Sequence, residues 1–148
     1  MMSDATAAAA TLGLQLQYVA VRGPGDLDGA FAEMANDRAE ALFTFPSPML
    51  YGARQHIVGL AATHRLPAGY NSRDFVQAGG LMAYGSSLAA LGRRTAIYVD
   101  KILKGAKPAD LPVEQPATFE LAINLKTAKA LGLTIPQTVR LQADRLIE

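Results

Sequence analysis

The spacing of apolar and polar positions divides the chain into short strands and amphipathic helices. Leu14–Val21 reads LQLQYVAV, largely apolar at alternate places, which predicts a strand with one buried face. Before it, Asp4–Leu12 reads as a helix closed by Gly13 with apolar Leu14 beyond, the pattern of a glycine C-cap. Gly23-Pro24-Gly25 breaks the strand, and Asp26 is placed to cap a helix running to about Arg38. Ala41–Phe45 is short and almost wholly apolar, as a buried parallel strand is. Ser47-Pro48 then gives a cap followed by proline at the first helical position, predicting a helix to about Arg65.

Pro67–Tyr70 predicts a third strand, with Asn71 as cap and Asp74 as first-turn acid of a helix ending at Gly79-Gly80. Leu81–Tyr84 predicts a fourth strand. In the longest helix, Ser87–Lys104, Leu88, Leu91, Thr95, Tyr98, Val99 and Ile102 share one stripe. Arg93, Arg94, Asp100, Lys101 and Lys104 lie opposite, a solvated face. Gly105 stops this helix, and Lys107–Pro116 is a proline-rich link. Phe119–Ile123 predicts a last strand, Asn124 caps a helix to Leu131, and a turn or helix follows Pro136. Strands and helices alternating at this spacing predict an α/β fold whose sheet is mostly parallel, with helices on both faces.

Composition narrows the function. The 148 residues are half hydrophobic and 18% charged, which is the composition of a folded domain rather than a disordered chain. A net charge of +1 provides no field to draw the chain to nucleic acid, so no nucleic-acid partner is expected. Basic residues are concentrated after position 74, nine against six acids, where five stand against seven acids before it. With no cysteine, the chain has no disulfide, thiol nucleophile or cysteine-held metal. The start of the chain, Met1–Thr6, contains Asp4 and no basic residue, so it does not read as a secretory signal.

Catalytic patterns are missing. His56 and His64 are eight apart, without the spacing of a metal pair. No serine lies in a GxSxG turn, and Gly23-Pro24-Gly25 lacks the residues of a phosphate or dinucleotide loop. The chain is therefore expected not to be an enzyme and to carry no metal and no cofactor. In an open α/β sheet, ligands bind beyond the carboxyl ends of the strands. The loops expected there are Phe45-Pro46-Ser47-Pro48, Tyr70-Asn71-Ser72-Arg73 and Tyr84-Gly85-Ser86-Ser87, with Ser47, Pro48, Tyr70, Asn71, Ser72, Tyr84 and Gly85 as the ligand-binding residues. Their hydroxyls, amide and helix N-termini suit a small polar or amphipathic molecule. The competing reading is that Ser47, Asn71 and Ser86 are helix caps and nothing more.

IYVDKILKGAKPAD within Ala96–Asp110, the following Leu111–Pro116, and FELAINLKTAKALGLTIP at Phe119–Pro136 closely resemble the C-terminal segment of ABC transporter substrate-binding proteins, the tryptophan- and tyrosine-type group. Leu66-Pro67-Ala68 and FVQAGGLMAYG at Phe75–Gly85 resemble the same family. The resemblance implies a Rossmann-like three-layer lobe of a type I periplasmic-binding-protein fold. Residues 1–85 would be the C-terminal (second) lobe without its first strand, and 86–148 a segment that returns to pack on a first lobe. It further implies a small solute such as an amino acid bound in an inter-lobe cleft, an ABC permease as partner and a periplasmic location. Ser47, Tyr70, Asn71 and Tyr84 would face the cleft. A homodimer, formed by exchange of the C-terminal segment, is expected to supply the second wall. The alternatives are a truncated or degenerate α/β protein that binds no ligand alone, and a small flavodoxin-like enzyme.

Overall fold

A computed structural model describes residues 2–148, without the side chain of Met2; Met1, the first residue of the stretch tested for a leader, lies outside the described residues. Helix α1 (Met2–Leu12) ends as expected at Gly13, whose φ of 67° is the left-handed conformation that glycine adopts without strain. A 3-10 turn at Pro24–Asp26 leads into α2 (Leu27–Asn36). Asp26 acts backwards instead of capping forwards: its Oδ2 accepts from the N–H groups of Arg22 and Gly23, at 3.0 and 3.2 Å.

Five strands follow in spatial order β1-β2-β3-β4-β5. They are β1 (Leu42–Phe43), β2 (Ala68–Tyr70), β3 (Met82–Ser86), β4 (Phe119–Asn124) and β5 (Arg145–Ile147). β1 to β3 are parallel neighbours, β4 runs antiparallel to β3, and β5 is parallel to β4. The sheet is thus mostly parallel and the α/β class holds. Between β1 and β2 lie α3 (Pro48–Gly52) and α4 (Arg54–Thr63), which the sequence reads as one helix. The break falls at Gly52-Ala53, next to the weakest ordinary helix former. α5 (Arg73–Gln77) joins β2 to β3, and α6 (Leu88–Leu103) follows β3. α7 (Leu125–Ala130) and α8 (Gln137–Gln142) precede β5, a strand too short to carry a readable alternation.

One face of the sheet makes the core. Ala68, Tyr70, Ala83 and Ala122 point to it and pack with Leu27 and Phe31 of α2, Ile57 and Val58 of α4, and Phe75 and Val76 of α5. The alternate positions Phe43, Tyr84 and Phe119 lie on the other face and are well exposed.

Two expectations are corrected. Leu14–Val21 forms no strand: Val19 and Val21 reach the core, but no neighbouring strand pairs with this stretch among the described residues. An alternating pattern specifies a face, while a strand also needs partners for its N–H and C=O groups. The division at 85/86 does not hold either. β3 pairs with β4 along its whole length, from Met82↔Ile123 to Ser86↔Phe119, so residues 119–148 complete the same sheet as residues 42–86. α6, by contrast, carries no buried residue.

Candidate functional site

The carboxyl ends of β1, β2 and β3 meet at one edge of the sheet, because parallel strands end on the same side. Close packing there depends on Gly85. A Cβ at that position would lie 1.9 Å from the Asn71 carbonyl oxygen, so only glycine lets β3 pass so near the chain leaving β2.

Three of the four serines on this edge begin a helix, while Ser86, the other cap candidate, is the last residue of β3. Ser47 Oγ accepts from the Leu50 N–H at 3.5 Å and Ser87 Oγ from the Ala90 N–H at 3.4 Å. The cap of α5 is Ser72, whose Oγ accepts from the Asp74 N–H at 3.3 Å, and not Asn71 as the sequence suggested. Asn71 is held one residue earlier by the approach of Gly85.

A cavity of about 320 Å³ opens at this edge, lined by Tyr51, Ser72, Arg73, Asp74, Gly85 and Glu120, with Ser86 and the start of α6. Its charged groups are already organised. The Arg73 guanidinium donates from Nη1 to Glu120 Oε2 at 3.2 Å, in a partly buried pair. The Tyr51 hydroxyl donates to Asp74 Oδ2, and this bond raises the tyrosine pKa above its ordinary value. The Arg54 guanidinium lies 4.9 Å from the centre of the Tyr51 ring. At the end of β1, the hydroxyl of Thr44 is buried with no hydrogen-bond partner among the described residues.

Of the residues expected here, Ser72 and Gly85 line the cavity; Ser47, Pro48, Asn71 and Tyr84 lie on the same edge but outside its wall. Tyr84 is 61% exposed and stacks on Phe119, ring centres 5.8 Å apart. Tyr70 must be withdrawn from the set. It is 1% exposed, stacked on Phe75 at 4.6 Å, and lines a different cavity at the opposite edge. Strand alternation explains this, since Tyr70 shares the core face with Ala68. Sequence reasoning put Arg73 in the loop after β2 without naming it as a site residue, and it missed Tyr51, Asp74 and Glu120. Tyr51 and Asp74 are 23 positions apart and Arg73 and Glu120 47, so no local spacing announces either pair.

The histidines stay apart from this edge's cavity. His56 Nε2 lies 3.3 Å from Asp28 Oδ2 on the surface, and the His64 ring lies 5.7 Å from Phe31. Among the described residues no group of three or more metal-ligating side chains comes together, and no helix is long and apolar enough to cross a membrane.

A polar cavity at the carboxyl edge of parallel strands is where α/β folds commonly hold small ligands. The family model for ABC transporter substrate-binding proteins matches residues 2–147, and the chain belongs to that family. Two solved structures are similar to it. One, described as an ABC domain in complex with L-Trp from Streptococcus pneumonia, is 27% identical with a TM-score of 0.90, covering 99% of this chain and 49% of its own. The other, a conserved domain protein from Vibrio cholerae, is 25% identical with a TM-score of 0.89, covering 98% of this chain and 49% of its own. A ligand-free, open substrate-binding protein with adhesive properties from Clostridium difficile is 17% identical with a TM-score of 0.67, covering 99% of this chain and 48% of its own, a likeness of fold alone. The chain therefore spans about half the length of the solved structures it matches. No curated protein matches it.

Proposed function

We propose that the chain acts as the C-terminal, solute-binding lobe of an ABC-type import system outside the cytoplasmic membrane, periplasmic in a cell with two membranes. Its ligand is a small solute of the amino-acid class, and an ABC permease is its downstream partner. The observation that carries this reading is the carboxyl-edge cavity, where one guanidinium and two carboxylates, Arg73, Asp74 and Glu120, stand around about 320 Å³. An α-amino acid presents a carboxylate and an ammonium a few bonds apart. Arg73 suits the first, and Asp74 or Glu120 the second. Ser72 adds a neutral partner in the cavity wall, and Asn71 and Ser47 lie on the same edge. The complex with L-Trp in a structural neighbour makes tryptophan the first ligand to try.

The same reading gives α6 a covering body. Leu88, Leu91, Val99 and Ile102 of the apolar stripe are all exposed on a helix that buries nothing, and a monomer does not usually leave so much apolar surface wet. A second copy of the chain, placing its own lobe across α6, would both cover that stripe and give the carboxyl edge a second wall.

The test is a panel of the common amino acids in thermal unfolding, with solution mass followed by sedimentation. At least one amino acid is expected to raise the melting temperature of a dimer. Arg73→Ala should then weaken that ligand by about tenfold or more, as the loss of a charge-assisted hydrogen bond does. No response across the panel would remove the amino-acid reading, and a monomer at all concentrations would remove the second copy.

A further inference from the structure

The charged groups around the carboxyl-edge cavity are not equivalent. Glu120 Oε2 accepts from Arg73 Nη1 at 3.2 Å, so these two charges largely cancel. Asp74 Oδ2 accepts from a neutral donor, the Tyr51 hydroxyl, and no cation pairs with Asp74 among the described residues. The charge left uncompensated in the wall is therefore the Asp74 carboxylate. We propose that Asp74 is the specificity-determining residue of this cavity, taking the ammonium group of the solute, and that Tyr51 is the positioning residue that holds its carboxylate. On the solute-binding reading above, on which this assignment rests, an amine becomes the required feature of the solute.

Both residues are within reach of a solute. They line the cavity, Tyr51 is 36% exposed, and Asp74 is half-buried. An ionised carboxylate has about four acceptor sites, and the Tyr51 hydroxyl occupies one of them. Asp74 Oδ1 has no hydrogen-bond partner among the described residues, which leaves it for an ammonium. The tyrosine is itself anchored. Its ring meets Phe75 edge-on at 6.4 Å, and Arg54 Nη1 donates to its carbonyl at 3.1 Å. Arg54, committed in this way, is not in the cavity wall. The bond to Asp74 raises the Tyr51 pKa, so the hydroxyl stays a donor through neutral pH.

Glu120 is the weaker candidate for the ammonium. Its side chain is 22% exposed and that of Arg73 35%, so turning Glu120 to a solute would strand a partly buried guanidinium. Its part is to hold Arg73, which spends Nη1 on Glu120 and keeps further N–H donors for the solute carboxylate. A compensated pair attracts a cation weakly, whereas an open carboxylate attracts an ammonium and repels a bare acid.

The test is an amide-resolved NMR titration of the full chain with amino acids and their analogues lacking the ammonium. The pairs are L-tryptophan with indolepropionate, L-phenylalanine with phenylpropionate, and L-alanine with propionate. The wild-type chain is expected to bind at least one of these amino acids about tenfold or more tightly than its analogue, the value of a charge-assisted hydrogen bond. Asp74→Asn should bring that ratio down to about threefold or less, and Glu120→Gln should leave it at the wild-type value. Tyr51→Phe should lower it about threefold, a change in selectivity that loss of packing alone does not produce. An unchanged ratio in Tyr51→Phe would remove the positioning role. A wild-type ratio near one, or the wild-type ratio kept in Asp74→Asn, would overturn the assignment of Asp74 while leaving the cavity a solute site. No shift at Ser72 or Gly85 with any of these compounds would overturn the solute-binding reading and this assignment together.

Discussion

Helices α5 and α6 begin alike and end up opposite. Each starts on a serine whose hydroxyl accepts a backbone N–H of its first turn, at 3.3 Å for Ser72 and 3.4 Å for Ser87. α5 then runs only five residues, yet Phe75 and Val76 are among the most buried side chains of the protein. α6 runs sixteen residues and buries none. A single-turn helix has no stability of its own, so α5 exists because the sheet holds Phe75 and Val76. α6 is long enough to form from local terms, including the Lys104–Asp100 pair at 2.9 Å one turn apart. What it keeps is an unused apolar stripe, the surface that the proposed second copy would cover. The arm that follows is tied to it by Arg94 with Glu114, and by the Tyr98 hydroxyl donating to the Pro112 carbonyl at 2.6 Å.

The contrast can be broken from either side. Phe75→Ala should cost about 3–5 kcal/mol in urea unfolding, whereas Ile102→Ala on α6 should stay within about 0.5 kcal/mol at dilutions where the chain is monomeric. A large loss at Ile102 in the isolated chain would mean that α6 packs on the body after all. Gly85→Ala, forced against the Asn71 carbonyl, should cost about 1–3 kcal/mol by the same measurement. The buried side of the comparison also has a pH signature. Tyr70 is raised from 10.0 to about 12 by burial, so its contribution is fully present below pH 10 and is lost as pH rises through about 12. Stability followed into that window should fall, and Tyr70→Phe should lessen the fall.

Ser72→Ala should cost about 1 kcal/mol, the ordinary value of a lost cap. The smallest effect belongs to the arm. Arg94 holds the Glu114 carboxyl below its ordinary range, so that contribution is present above 4.5 and is lost as pH falls through the lowered value. Both groups are solvent-screened, so Glu114→Gln should alter acid stability only slightly and should leave the melting of the body unchanged.

The pattern of residues made most of these elements legible. The Ser47-Pro48 start, the Gly13, Gly105 and Gly132 endings, each at positive φ, and four of the five strands follow from local signals. Where the reading failed, the missing information was non-local. Leu14–Val21 has the alternation of a strand but no strand beside it, and pairing is a property of two segments. β5 is three residues at an edge, made a strand only by the register Ala122↔Arg145 to Asn124↔Ile147. The site divides in the same way. The carboxyl edge followed from topology, and Ser72 and Gly85 with it, but Tyr70 was assigned by loop position when strand parity turns it inward. Arg73 and Glu120 become neighbours only when β4 folds back along β3.

The most direct measurement is an amide-resolved NMR titration of the full chain with L-tryptophan, followed by the other amino acids. Saturable shifts gathered at Ser72, Arg73, Gly85 and Ser86 for at least one of them are the predicted result. No shift at those four residues with any amino acid, or shifts confined to other parts of the molecule, would contradict a solute site at the carboxyl edge.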